Sequence, residues 1–177
     1  IKWKYRDKIF LLYLATMMIP PQVMIVSRFA IMQKTGLYNT HLGIILMTMF
    51  STYGVFLLRQ AMMGIPDSLC ESAKIDGAGH WTIFTKIVLP LVKPSIATLA
   101  VLKFVWTWND YQTPLIFLSK RTLFTIQLGM KMFASESGNI YSLMMAAAVS
   151  ATVPLILVFL LGQRYIIDGM TAGAVKG

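Results

Sequence analysis

Residues that could carry acid–base, nucleophilic or metal chemistry are few in this 177-residue chain, and they are scattered along it. The chain has seven acidic residues, two histidines and one cysteine. His41 and His80 stand far apart, Cys70 has no second cysteine to pair with, and no H-E-x-x-H motif occurs. The phosphate-binding pattern G-x-x-x-x-G-K-[ST] is also absent, so we expect no ATP site of that kind, no metal and no cofactor. The residue types therefore predict a chain without a catalytic site of its own.

The most informative polar stretch is ESAKIDGAGHWTIFTKIVLP, which begins at Glu71 between two apolar runs. Pro66 suits the first turn of a helix, Ser68 and Glu71 have the S-x-x-E capping-box spacing, and Gly77 or Gly79 can end the helix in a left-handed turn. The pattern predicts a short helix of about three turns. Such a helix could be a rigid knob that receives force from a partner, or an amphipathic helix on the bilayer surface.

The composition indicates a membrane protein. Hydrophobic residues make up 56% of the chain, charged residues only 13%, and the mean hydropathy is +0.66. A soluble domain has roughly 25% charged residues. Four apolar runs approach the roughly 20 residues that a spanning helix needs, and they lie at 9–27, 42–58, 87–106 and 143–162. We expect an all-α, polytopic helical bundle with four spans in this chain.

Charge sets the expected orientation of the spans. Nine lysines and arginines lie at the chain start, in the 59–86 loop and after the last run, and five lie on the opposite side. The richer side should be cytoplasmic. The net charge of +9 comes from residues that flank apolar runs, so we expect no nucleic-acid partner. Prolines interrupt three of the runs and serve either helix packing or a transport hinge; they are Pro20, Pro21, Pro90, Pro94 and Pro154.

The polar stretch resembles the E-A-A, three residues, G, nine residues, I-x-L-P signature of bacterial ABC importer permeases, with serine replacing the middle alanine. The matching residues are Glu71, Ser72, Ala73, Gly77, Ile87, Leu89 and Pro90. The segment 104–118 is similar to the W-N-x-x-x-x-P-L stretch of sugar permeases. The ending GQRYIIDGMTAGAVKG is similar to the tail of MalG-type subunits of maltose and other carbohydrate importers.

This resemblance implies a MetI-like ABC permease fold, with residues 1–177 forming the C-terminal portion of a transmembrane domain that lacks its N-terminal spans. The 59–86 loop would carry a coupling helix that sits in a cleft of a cytoplasmic ATPase. Glu71 would pair with a basic residue there, unless it caps its own helix. Ala73 would permit close approach, and Gly77 would turn the chain.

The function implied is that of a permease subunit of an ATP-driven carbohydrate importer, which forms the translocation pathway while ATP is hydrolysed on a partner chain. The expected partners are a second permease subunit, an ATP-binding subunit dimer, an extracytoplasmic sugar-binding protein and membrane lipid. The expected location is the bacterial inner (plasma) membrane, crossed several times.

Two further segments gain a role from the resemblance. The glycine-rich end of the chain would be a disordered terminus by composition, whereas the resemblance implies that it reaches between the ATPase subunits. Its candidate contacts are Gly169, Thr171, Gly173 and Lys176. The external loop 107–142 would contact the binding protein, or would be an ordinary solvated loop. Its expected tip consists of Ser135, Glu136, Ser137 and Gly138. Trp106, Trp108 and Tyr111 could stack on sugar rings or form an interfacial aromatic belt.

Alternative functions stay open at this point. The signature does not separate a sugar permease from an importer of another solute, such as glycerol phosphate. An ion-driven secondary transporter would place charges in mid-span, and the first, second and fourth runs contain none. A membrane enzyme would need an acid–base or metal cluster. Lys103, near the end of the third run, is expected to snorkel to the interface.

Overall fold

The computed structural model describes residues 3–135 and 141–174, and every regular element in these ranges is helical. The all-α fold class is therefore confirmed. The α-helices are α1 (Arg6–Ala15), α2 (Ile25–Lys34), α3 (His41–Thr48), α4 (Thr52–Met63), α5 (Asp67–Ile75), α6 (His80–Ile83), α7 (Leu89–Leu91), α8 (Lys93–Trp108), α9 (Gln112–Phe117), α10 (Ile126–Ser135) and α11 (Tyr141–Ala174).

Only one helix in the described residues is by itself long and apolar enough to cross a membrane. It is the Tyr141–Arg164 part of α11, with a mean hydropathy of 2.4. The other three apolar runs coincide with helix pairs, which are α1 with α2, α3 with α4, and the helices from His80 to Leu91 with α8. By length and composition, residues 3–135 and 141–174 thus offer one span, or up to four if each pair crosses as one.

The first apolar run is broken at its prolines. Helix α1 ends in a 3₁₀ turn, Thr16–Met18, and a second 3₁₀ turn, Pro21–Met24, leads into α2 after a bend of 89°. Pro20 and Pro21 remove two backbone donors, and the extended ψ of 132° at Pro20 directs the chain out of the helix. The break falls at the two prolines that interrupt this run in the sequence, so the run 9–27 is helical in two pieces.

The third run is also divided. Helix α6 continues through a π-helical turn, Phe84–Val88, into α7, and α8 then departs at 65°. Pro94 has no N–H to offer the carbonyl of Pro90, and its ring crowds that carbonyl. The hydroxyl of Thr98 donates to the carbonyl of Pro94 at 3.0 Å. Between the two prolines Val92 is almost completely buried, at 2% exposure.

The chain folds as two compact units. The first consists of Ile1–Thr52 and Trp106–Leu155, and the second of Tyr53–Val105 and Ile156–Gly177. The buried core of the first unit is small and contains Met32, Phe117, Leu118, Leu128 and Ala151. Many large apolar side chains stay exposed, for example Leu161 at 76%. Lipid or neighbouring membrane helices would cover such a surface.

Within the first unit, the loop between α2 and α3 holds the segment that follows α9. Asn39 has a φ of +60°, a conformation that asparagine tolerates better than most residues. Its side-chain oxygen accepts hydrogen bonds from the backbone N–H groups of Ser119 at 2.8 Å and Lys120 at 3.0 Å. A ring nitrogen of His41 lies 2.8 Å from the carbonyl oxygen of Leu123. These contacts fix the approach to α10.

Candidate functional site

Helix α5 lies where the sequence predicts a short helix, but it begins differently. Pro66 is its N-cap, with φ −59° and ψ 132°, and the helix has no side-chain capping bond. Ser68 is already the second helical residue, so the predicted capping box of Ser68 and Glu71 is wrong. The cause is that the helix begins at Asp67, directly after Pro66, so Ser68 cannot be the N-cap. Among the residues that the structure describes, the side-chain carboxylate of Glu71 has no hydrogen-bond or ion-pair partner.

The end of α5 is a Schellman turn. Gly77 has a φ of +80°, and its N–H donates to the carbonyl of Lys74 at 3.0 Å. The N–H of Ala78 donates to the carbonyl of Ala73 at 2.9 Å. Together these bonds satisfy two carbonyls that the helix end would otherwise leave open. The predicted left-handed turn at Gly77 is confirmed, whereas Gly79 has an ordinary φ of −70°.

The residues of α5 differ in exposure. Glu71, Ser72 and Ile75 are exposed, and Ile75 reaches 87%. We call these three residues the coupling face. Cys70 and Ala73 are half-buried. Successive residues are about 100° apart around a helix, so Ala73 lies on the opposite side from Glu71. The structure therefore does not bring Ala73 and Glu71 to one surface.

The second half of the signature belongs to a different helical stretch. Ile87 is half-buried in the π-helical turn, whereas Leu89 and Pro90 are exposed in α7. These residues precede the 65° bend into α8. The I-x-L-P residues thus lie on an irregular, bent helix. Of the whole signature, only Glu71 and Ser72 lie on the coupling face.

The glycine-rich segment near the end of the chain is helical as far as Ala174, as part of α11. Gly169, Thr171 and Gly173 all lie within this helix, which extends to Ala174, while Lys176 lies outside the described residues. The composition-based expectation of a disordered terminus is therefore wrong as far as Ala174. Extending an existing helix by one residue is much easier than nucleating a new one, so α11 continues through its glycines.

The segment 107–142 contains more structure than a loop. Helix α9, a 3₁₀ turn at Arg121–Leu123, and α10 occupy much of it. Ser135 is the last residue of α10. The other expected tip residues, Glu136, Ser137 and Gly138, lie outside the described residues.

Residues 108–111 connect α8 to α9, and we call them the α8–α9 joint. The indole N–H of Trp108 donates to the carbonyl of Ala151 in α11 at 2.9 Å. A carboxylate oxygen of Asp110 accepts the N–H of Thr113 at 3.0 Å, in the first turn of α9. The joint is thereby attached to α11 and shapes the start of α9.

The other two residues of the joint contact α10. The side-chain amide of Gln127 donates to the side-chain oxygen of Asn109 through a long bond of 3.5 Å. The ammonium of Lys131 lies 5.2 Å from the ring centroid of Tyr111, within the range of a cation–π interaction. Trp108 and Tyr111, which the sequence offered as sugar-stacking candidates, are thus half-buried and contact neighbouring helices, while Trp106 stays 48% exposed.

In the described part of the chain, no three His, Cys, Asp or Glu side chains come together in a way that could hold a metal ion. The features that the structure does assemble are mechanical ones: a capped and exposed α5, a bent helix after it, and a joint between helices.

The model of the family described as "Binding-protein-dependent transport system inner membrane component" matches residues 1–171. The chain belongs to this family. It is accordingly an inner-membrane transport component, and its E-A-A-type motif is typical of such proteins.

Three relatives and one solved structure illustrate the similarity. The arabinooligosaccharide permease AraQ of Halalkalibacterium halodurans is 38% identical over 99% of this chain and 63% of its own length. The melibiose/raffinose/stachyose permease MelC of Bacillus subtilis is 38% identical over 98% of this chain and 64% of its own. The sn-glycerol-3-phosphate permease UgpE of Yersinia pestis is 34% identical over 96% and 61%. The chain thus spans just under two thirds of the relatives it matches.

The solved structure is a bacterial ABC transporter involved in the import of the acidic polysaccharide alginate. One of its chains superposes with a TM-score of 0.79 at 23% identity, over 93% of this chain and 63% of that chain. At this identity the likeness concerns the fold, and it confirms the expected ABC permease fold.

Proposed function

We propose that this protein is a permease subunit of an ATP-driven carbohydrate importer, that it forms part of the translocation pathway, and that it receives force from a partner ATPase at α5. The observation that carries the proposal is the coupling face. Glu71 has no partner among the described residues, and Ile75 is 87% exposed one turn further along the same helix. A free carboxylate beside an exposed apolar side chain is suited to a cleft with a cation and an apolar pocket.

The ends of α5 support this role because they make the helix a stiff part. Pro66, whose ring restricts the backbone, directly precedes the first turn, and the Schellman turn at Gly77 closes the last one. Only Ala78 and Gly79 separate that turn from α6. A displacement of α5 would therefore be passed to α6 and the bent helix after it with little loss in a flexible linker.

An exposed ion pair contributes only about 0–1 kcal/mol, so Glu71 alone would not hold an ATPase. A partly desolvated anchor contributes more, and interface hot spots bury large side chains in pockets. In the proposed complex, Ile75 provides most of the contact energy and Glu71 sets the orientation. The small side chain of Ala73 permits close approach, and Gly77 provides the turn.

The proposed assembly contains a second permease subunit, a dimeric ATP-binding subunit, an extracytoplasmic sugar-binding protein and surrounding lipid, in a bacterial inner membrane that this protein crosses several times. ATP hydrolysis takes place on the partner. The last turns of α11, with Gly169, Thr171 and Gly173, and the following Lys176 contact the ATPase. The segment from Ser135 through Glu136 and Ser137 to Gly138 contacts the binding protein.

The proposal is tested on the complete transporter reconstituted in lipid nanodiscs. The stimulation of ATP hydrolysis is measured with the binding protein and a panel of oligosaccharides, monosaccharides and glycerol phosphate. We expect an oligosaccharide to stimulate hydrolysis in the wild type. Glu71→Lys should abolish stimulation or ATPase assembly while leaving membrane insertion intact, whereas Asp76→Asn, five residues away, should behave as wild type. Normal stimulation in Glu71→Lys would refute the docking role.

A second candidate is favoured by the relative UgpE, whose name gives a glycerol phosphate substrate. Under this alternative the coupling face keeps its role and only the solute changes. Stimulation by glycerol phosphate and by no sugar in the same panel would establish it. Transport driven by an ion gradient without nucleotide would overturn both candidates.

A further inference from the structure

We propose that the α8–α9 joint is a mechanical link that ties α8 to α10 and α11, so that the load of the external binding protein on α10 is passed to α8. This inference rests on the proposed function. It assigns Tyr111 and Lys131 as positioning residues, which act by holding helices and make no contact with the solute.

The first support is that each of the four consecutive residues of the joint contacts a different group through its side chain. Trp108 bonds to the backbone of α11, Asn109 to Gln127, and Asp110 to the start of α9, while Tyr111 receives Lys131. A solvated turn or a row of stacking platforms would leave several of these side chains free. The joint instead uses all four to hold neighbouring helices.

The contact with α11 lies beside a proline. Pro154 provides no N–H for the helix, and prolines in helices free carbonyls in the preceding turn. The carbonyl that loses its helical partner is that of Ser150, four residues before Pro154, and the indole N–H of Trp108 donates to the carbonyl of the next residue, Ala151, which is 4% exposed. Because Ala151 is buried, this hydrogen bond holds Trp108 against the packed part of α11. The joint is thus firmly attached on the α11 side.

The contact with α10 fixes orientation as well as position. Gln127 and Lys131 are four residues apart on this helix, so their side chains lie on one face, a turn apart. Each contacts a different residue of the joint, Asn109 and Tyr111 respectively. One contact would act as a pivot about which α10 could rotate, whereas two resist rotation. A push on α10 is therefore transferred to the joint.

The joint passes such a push into α8. This helix runs without interruption from Lys93 to Trp108, and at its other end it meets the break at Val92. A continuous helix transmits displacement along its axis, and the break provides the place where its direction can change. The chain then continues backwards through α7 and α6 to α5, which is the proposed ATPase contact.

Tyr111 offers a way to distinguish this link from a sugar contact. Its hydroxyl oxygen is buried and has no hydrogen-bond partner among the described residues. The phenol ring, not the hydroxyl, therefore makes the contact with Lys131. Removing the hydroxyl should be harmless for a link, whereas a sugar-binding tyrosine would lose a hydrogen bond.

The experiment measures the ATPase activity of the reconstituted transporter with and without the solute-loaded binding protein. Tyr111→Leu and Lys131→Met should each lower the stimulation about 2- to 5-fold, which corresponds to a cation–π energy of about 0.5–1 kcal/mol, with unchanged basal activity. Tyr111→Phe and Lys131→Arg keep ring and cation and should match the wild type. The double variant Tyr111→Leu with Lys131→Met should be no worse than either single variant.

Three outcomes would contradict the proposed link. Wild-type stimulation in Tyr111→Leu, additive losses in the double variant, or a Tyr111→Phe loss as large as that of Tyr111→Leu would overturn the link. Copurification of the ATPase with each variant verifies assembly, and Gln127→Ala, which removes only a long bond, gives a milder test of the same face. A wild-type complex that no solute-loaded binding protein stimulates would overturn the proposed function together with this inference.

Discussion

Gly77 and Gly79, the two glycines that follow α5, differ in the sign of φ, and substituting each of them tests whether the left-handed turn at Gly77 matters. Gly77 has a φ of +80° and Gly79 a φ of −70°, yet a Cβ added at either position would meet no atom within 4 Å. Sterically the two sites are equally open. Alanine at Gly79 should therefore be accepted, whereas at Gly77 it must adopt a left-handed conformation.

The expected cost of Gly77→Ala follows from this difference. A left-handed conformation costs a residue with a Cβ roughly 1–2 kcal/mol, a factor of about 5–30 in an equilibrium. The Schellman turn should open more often by that factor. The N–H of Ala78, bonded to Ala73 at 2.9 Å, should exchange with solvent faster by a similar factor. The exchange rate of Gly77→Asn should lie between those of the wild type and Gly77→Ala, because asparagine tolerates the left-handed region better than alanine does.

The assay is hydrogen exchange with mass-spectrometric detection on the peptide that covers α5, in the assembled transporter, combined with binding-protein-stimulated ATP hydrolysis. Gly79→Ala is the matched control. We expect faster exchange and reduced stimulation in Gly77→Ala only. If Gly77→Ala and Gly79→Ala were indistinguishable in both readouts, the argument that a left-handed turn keeps α5 stiff would be refuted.

Three further predictions concern packing and the chain end. A Cβ at Gly162 would lie 2.5 Å from a methyl carbon of Val101, so Gly162→Ala should lower stability by about 1–3 kcal/mol through overpacking. Val101→Ala should restore part of the loss, and an equal loss with and without this second change, measured by thermal unfolding, would contradict the contact. Gly43→Ala should destabilise more, because its Cβ would overlap the backbone carbonyl of Leu37, which cannot swing away; an unchanged unfolding midpoint would refute this. Deleting 169–177 should weaken ATPase association, and unchanged copurification would argue against the proposed contact.

Local features of the site follow from the sequence. The helix at α5, its turn at Gly77 and the apolar runs depend on residue type, short-range spacing and length, and the structure has all three. The start of α5 was misassigned because the S-x-x-E spacing of Ser68 and Glu71 is only a local signal. Pro66, with an extended ψ of 132°, is the N-cap instead, and the helix begins at Asp67.

Features that depend on distant parts of the chain could not be predicted. Prolines marked the break between α1 and α2, but the 89° angle depends on what each half packs against. The α8–α9 joint pairs Trp108 with Ala151 and Tyr111 with Lys131, and nothing in the local pattern connects these positions. From the sequence, aromatic residues at the end of an apolar run are as typical of an interfacial belt as of a packed joint.

The most direct test of the central claim is disulfide crosslinking between the coupling face and the partner ATPase. In a Cys70→Ser background, Ile75→Cys and Ala73→Cys are each combined with cysteines around the cleft of the ATPase in the complete transporter. Ile75 is 87% exposed, whereas Ala73 is half-buried on the other side of α5. We predict an efficient crosslink from Ile75→Cys that changes with ATP binding, and little or none from Ala73→Cys. No crosslink from Ile75→Cys, or equal crosslinking from both positions, would contradict the account.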